Sequence, residues 1–399
     1  MISKNTNYIA SLDHLRWLAA FLVFLWHSNT NFIPKEFISK YSIINFFLEG
    51  HNGVALFFCI SGFIFTYIAY GKKINYFQFI KNRFLRVFPL IFVFLIFASL
   101  LGKINDDGLI KFFNFLGGGA PFVTWSIIVE LQIYFILPVF FNYLLNFNIK
   151  KVIIFIFGIL IISFSIKFFF YAYKNDFRTI SYWSVFGRID QFIFGCFAGY
   201  FYKNIKINIT NKYLFILLFL NLFIIIEFYS KFRLFGGYTS IPTKSLIWLF
   251  LPYIEGFIWS ILIFLWCCIK FDKAFLFLSK FFSYLGSISY STYMIHVPFI
   301  HFYIWLYTNI LNFNLSSNSL GLANDFANLI FAIQKSFVFI FSIDTSLSLK
   351  QQAVEMGVLF TLFIAYPILL ILSSIFNEIL EKPFLSLRSK YLDKNNKIT

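Results

Sequence analysis

The run LDHLRWLAAFLVFLWH, Leu12 to His27, carries an arginine and a histidine eleven residues apart. Eleven steps of about 100° return to nearly the same helix face, about 16 Å further along the axis. One face thus offers Arg16, whose planar fork grips phosphate or carboxylate, and His27, whose imidazole accepts a proton near neutral pH. Singly, each has a plainer explanation. Arg16 can snorkel to headgroups, and His27 can make a core hydrogen bond.

The other chemistry-bearing residues are as sparse. Only seven arginines occur against 26 lysines, and Arg16, Arg83, Arg86 and Arg188 lie at or near the ends of apolar runs. The stretch KKINYFQFIKNRFLRVFP, Lys72 to Pro89, gathers five positive charges, which suits an acidic cofactor such as a nucleotide-linked thioester as well as plain topogenic charge. In TWSIIVELQIYFILP, Ser126 and Tyr134 flank Glu130 at i−4 and i+4. A lone carboxylate inside an apolar run is costly, so Glu130 requires a partner from another span, a histidine or an arginine. Arg188 and Asp190 open GRIDQFIFGCFAG, where an interface salt bridge accounts for both equally well. Ser289, Tyr293 and His296 share one helix face in LGSISYSTYMIHVP, and interhelical hydrogen bonding alone also explains them. His14, His51 and His301 carry no assignment.

The elements that hold these residues are membrane helices. The 399 residues are 60% hydrophobic and only 13% charged, which excludes an ordinary soluble domain. Mean hydropathy is +0.78. The apolar runs are continuous rather than alternating, so membrane helices are the better reading than a β-barrel. Ten spans are expected, near 9–33, 53–70, 86–102, 124–146, 152–171, 187–202, 213–229, 246–269, 285–307 and 354–377. The fold class is an all-α polytopic integral membrane protein, one bundle of about ten helices. Residues 329–343, broken by Gln334 and Lys335, read as interfacial or re-entrant. The first apolar run, without a small-residue cleavage site, reads as a retained span. In the second span, Ser61 and Gly62 mark a kink or a close backbone approach.

Charge orients the bundle. One set of loops (71–86, 147–151, 202–212 and 270–283) packs 13 Lys and Arg into about 45 residues, against 11 in about 115 for the other set. The dense loops are expected in the cytoplasm together with both termini. The net charge of +16 lies between apolar spans, which points to anionic lipid headgroups and an anionic cofactor and away from nucleic acid. Cys59, Cys196, Cys267 and Cys268 fall inside spans without metal-ligand spacing, so they read as packing residues and no metal is expected.

Taken in order, these segments resemble acyltransferase family 3, membrane-bound enzymes that acylate hydroxyls of glycans and related acceptors. The resemblance rests on Arg16 and His27, SGF at Ser61, RxxRxxP at Arg83 to Pro89 and WSxxVE at Trp125 to Glu130. It continues in GR at Gly187, LGxISYxxYxxH at Leu285 to His296 and EKPF at Glu381. It implies a membrane acyltransferase domain over residues 1–384 and a short basic cytoplasmic tail over 385–399. It implies transfer of an acyl group, most simply acetyl, from acyl-coenzyme A to a cell-surface or lipid-linked glycan, such as a polysaccharide or lipopolysaccharide, at the inner (plasma) membrane. No cofactor would be tightly bound. Arg16, Arg83 and Arg86 would hold the coenzyme A phosphates, His27 would act as general base, and Glu130 would orient its imidazole. Trp125, Ser126, Arg188 and His296 would face the acceptor. His14 and Trp17 stand where relatives often have glycine. Many relatives also append an esterase-like domain, whereas 15 residues follow EKPF here, so transfer is expected to finish in the membrane domain or with a partner. The competing expectation is a glycolipid or polysaccharide transporter or flippase, with Arg16, Glu130 and Arg188 lining a path.

Overall fold

In a computed structural model, the structure describes residues 8–32, 38–100, 124–144, 149–205, 210–270, 275–316 and 361–392. Residues 329–343, expected to be interfacial, lie outside them. Ordered structure among the described residues is helical, apart from a single antiparallel bridge between Ile74 and Leu392. In chain order the helices are α1 (Ala10–Phe32), α2 (Ser42–Leu48), α3 (Gly53–Ala69), α4 (Tyr76–Leu100), α5 (Thr124–Leu144), α6 (Ile149–Tyr173) and α7 (Phe177–Trp183). They continue as α8 (Val185–Asn204), α9 (Asn211–Leu234), α10 (Ile247–Cys268), α11 (Leu276–Ser287), α12 (Ser289–Ser316), α13 (Tyr366–Phe376) and α14 (Lys382–Ser386).

Six helical stretches among the described residues are long and apolar enough to cross a membrane: Gly50–Ala69, Thr124–Asn142, Lys150–Tyr173, Asn211–Ser240, Ile247–Cys268 and Thr361–Ser386. The chain is a membrane protein. The other four expected spans fall on α1, α4, α8 and α12, which do not reach that apolarity. These four carry Arg16 and His27, Arg83 and Arg86, Arg188 and Asp190, and His296. Polar side chains turned toward other helices lower a span's hydropathy without exposing charge to lipid.

Helix α3 is central, 78% buried over its apolar window, and packs on α1, α5, α8 and α10. Its contact with α8 is backbone to backbone. A Cβ on Gly62 would stand 2.0 Å from the Phe192 carbonyl oxygen, and one on Gly195 would stand 2.0 Å from that of Cys59. The close approach expected at Gly62 is therefore real, and it suits a membrane, where dispersion between closely packed helices replaces the hydrophobic drive. Helix α6 is peripheral, 17% buried, with Ile154, Ile161 and Phe169 among its exposed side chains. Such large apolar groups need hydrocarbon around them.

Two π turns bracket α13, at Thr361–Ala365 and Asn377–Glu381, and each runs directly into a helix with proline at its second residue, Pro367 and Pro383. A proline ring crowds the carbonyl four residues back and offers no N–H to it, so the preceding turn widens. The second of these turns places Glu381 inside the bundle, 2% exposed.

Candidate active site

A cleft with a cavity volume of about 100 Å³ opens between α1, α3, α4, α5 and α12. It is lined by Arg16, Arg83, Arg86, Ser126 and Glu130, five of the residues singled out from the sequence, and by Ser61, Tyr134, Tyr290 and Tyr293. Arg16 is braced one turn away by Asp13 at 2.5 Å. On α4, the Arg83 guanidinium lies 4.3 Å from the centre of the Tyr134 ring and 4.9 Å from that of Phe79. Arg86, one turn on, faces Tyr290 and the buried Glu381. Glu381 accepts a hydrogen bond from Ser291.

The Glu130 carboxylate accepts hydrogen bonds from the Ser61 hydroxyl and, at 2.5 Å, from the Tyr134 phenol. Its cationic neighbour is Arg83. Of the partners expected for this carboxylate, the structure supplies the guanidinium. The stripe read at i−4 and i+4 divides, with Tyr134 bonding Glu130 and Ser126 pairing at 2.7 Å with the Tyr293 phenol on α12.

His27 is not among the residues lining the cleft. Its Nδ1 donates to the Val23 carbonyl at 3.1 Å, which makes Nε2 the basic nitrogen. The ring stands edge-on to Trp26 at 4.7 Å and to His296 at 4.9 Å. His296 Nδ1 donates to the Tyr293 carbonyl at 2.6 Å, while its buried Nε2 has no hydrogen-bond partner among the described residues. Tyr293, on the cleft wall, packs against the His296 ring at 5.5 Å. The two histidines thus lie behind the cleft, joined to it through Tyr293.

Arg188 is packed inside the protein rather than facing outward. It is 1% exposed, donates to the Tyr182 carbonyl at 2.7 Å and to Gln191 at 3.1 Å, and pairs with Glu255 at 3.6 Å. Its guanidinium covers the Tyr182 ring and lies 5.4 Å from that of Trp125. Asp190 pairs with Lys167 of α6 rather than with Arg188. A third buried group joins Glu49 to Arg233 at 2.9 Å and to His51 at 3.0 Å. Lys167, Glu255 and Glu49 were missed from the sequence, although each is a lone charge in or beside an apolar run, the signal that marked Glu130. His51, given no assignment, is pinned between Glu49 and Tyr182, and its ring meets Trp26, the neighbour of His27, at 5.9 Å.

Residues 9–346 match the acyltransferase family 3 pattern, described as an acyltransferase domain. The chain belongs to this family. Every site residue from Arg16 to His296 lies within the matched stretch. The chain is also similar to the "Putative peptidoglycan O-acetyltransferase YrhL" of Bacillus subtilis (strain 168), 27% identical over 168 residues. That similarity covers 35% of this chain and 24% of the relative, so the chain spans about a quarter of that protein's length. No solved structure matches.

Proposed function

We propose that this family 3 acyltransferase is an O-acyltransferase of the inner (plasma) membrane. It crosses the bilayer about ten times with both termini in the cytoplasm, and it moves an acetyl group from acetyl-coenzyme A to a hydroxyl of a cell-surface or lipid-linked glycan. The observation that supports this most is the cleft, where three guanidinium groups from two helices converge on one opening. Arginine forks at a cytoplasmic mouth suit the phosphates of an acyl-coenzyme A. The printed name of the Bacillus relative favours a cell-wall glycan as acceptor.

In this reading the thioester reaches from the arginines past Tyr293 of α12, and the acceptor hydroxyl meets it on the far side of that ring, where His27 Nε2, beside His296, takes its proton. The acceptor oxygen bonds to the thioester carbon, the carbon–sulfur bond breaks, and the proton passes to the departing thiolate. Glu130 holds Arg83 and Tyr134 in place through charge and hydrogen bonding. Trp125, Ser126, Arg188 and His296 form the acceptor side, with Arg188 acting from behind Trp125. A general base contributes about 10²- to 10⁴-fold, so His27→Ala should lose at least a hundredfold in acetyl transfer while the protein still inserts. Turnover of radiolabelled acetyl-coenzyme A by purified variant in lipid nanodiscs reads this directly, and wild-type rates in His27→Ala would remove the assignment.

A further inference from the structure

The segment after α14 folds back on the helix that carries the cleft's arginines. Asn82 of α4 donates to the Ser389 carbonyl at 2.6 Å and accepts from the Ser389 N–H at 3.2 Å. The Asn75 N–H donates to the Tyr391 carbonyl at 2.8 Å, beside the bridge between Ile74 and Leu392. The Tyr391 ring is buried and meets Phe79 edge-on at 5.2 Å, and its phenol bonds Arg83. Residues 387–392 contain no regular helix, yet they are anchored along almost two turns of α4. That fixes Arg388, whose backbone neighbour Ser389 is tied to the residue before Arg83.

Arg388 is half-buried, and its charged neighbours include Arg86, Arg83 and Arg16, all three of which line the cleft. Burial and the adjacent Arg86 and Arg83 lower its guanidinium to about 10, which still leaves it charged at neutral pH. Guanidinium groups that feel one another's charge repel, and an anion bound among them relieves the repulsion. Arg388 itself is not part of the cleft wall. The tail that carries it lies along α4, with Ser389 bonded to Asn82, the residue before Arg83.

We propose that Arg388 is the fourth arginine of the donor site and binds the nucleotide end of the acyl donor, at the ribose 3′-phosphate of an acyl-coenzyme A. This rests on the donor reading above and extends it to residues 387–392, which lie beyond the stretch matched to the family. In a coenzyme A thioester the 3′-phosphoadenosine is farthest from the reacting carbon. A residue outside the cleft but beside its arginines is placed for that phosphate.

Calorimetric titration of the full-length protein in detergent with acetyl-coenzyme A and with its 3′-dephospho analogue tests this. Wild type should prefer acetyl-coenzyme A, and Arg388→Gln should weaken its binding about tenfold while leaving the dephospho analogue unchanged. Arg388→Lys should restore part of the difference, and Lys390→Gln, an exposed charge two residues away, should bind as wild type. Equal affinity of Arg388→Gln and wild type for acetyl-coenzyme A would overturn the assignment, as would an equal loss for both ligands. Wild type binding neither ligand would instead remove the donor reading on which the assignment rests.

Discussion

At Arg83 a guanidinium lies between two aromatic rings with Glu130 nearby. A planar cation lies flat against rings in this way, whereas an ammonium has neither the flat faces nor the fork. Arg83→Lys should therefore raise the KM for acetyl-coenzyme A by about tenfold and change kcat less, measurable in the same nanodisc assay. Glu255 plays a different part. It stands at the centre of a buried group, accepting from Gln191 at 2.7 Å and from Tyr229 at 3.0 Å beside Arg188. Glu255→Ala would leave the Arg188 charge buried with its carboxylate gone, a loss of about 3–5 kcal/mol. A lowered melting temperature in detergent should show it, and an unchanged one would mean that Arg188 is stabilised without Glu255.

Helices α3 and α8 meet where small residues let their backbones touch, and α8 carries Arg188 on the same helix that α3 positions. Gly195→Leu must push the pair apart, because the first added carbon already collides with the Cys59 carbonyl. Overpacking of this kind costs about 1–3 kcal/mol, so the variant should show a lower melting temperature together with reduced transfer. Much at this scale was legible in the sequence. Over its described residues each expected span falls largely on a helix, six of them long and apolar enough to cross a membrane, because long continuous apolar runs have few other ways to satisfy their backbone in lipid. The π turns before Pro367 and Pro383 were not read, since they change the pitch of a helix and leave its hydrophobicity untouched. Four expected spans fall short of self-evident membrane helices for the reason that makes them interesting, the polar residues they bring inside.

On the scale of the whole molecule, the arginine mouth of the cleft and the anchored tail lie together through α4. Both should face the cytoplasm if the lysine-rich loops do. Reporters active on one side only, fused before Met1 and after Thr399, should give the same sidedness, matching that of a reporter in the 202–212 loop. Opposite signals from the two termini would rule out an even number of spans.

The sequence by itself determined that the chain is helical and membrane-embedded, and it picked out Arg16, Arg83, Arg86, Ser126 and Glu130 as unusual in type and place. It could do so because a charge in an apolar run is conspicuous without knowledge of its neighbours. Which charges meet was decided only by the tertiary structure. Glu130 went to Ser61, Tyr134 and Arg83, His27 to the side of His296, and Asp190 to Lys167 rather than to Arg188. Helix periodicity gives the face of a residue along its own axis but not the rotation or depth of the next helix. Partners across helices are therefore set by packing, through contacts such as Gly62 on Phe192 and Gly195 on Cys59, that no single run of residues encodes.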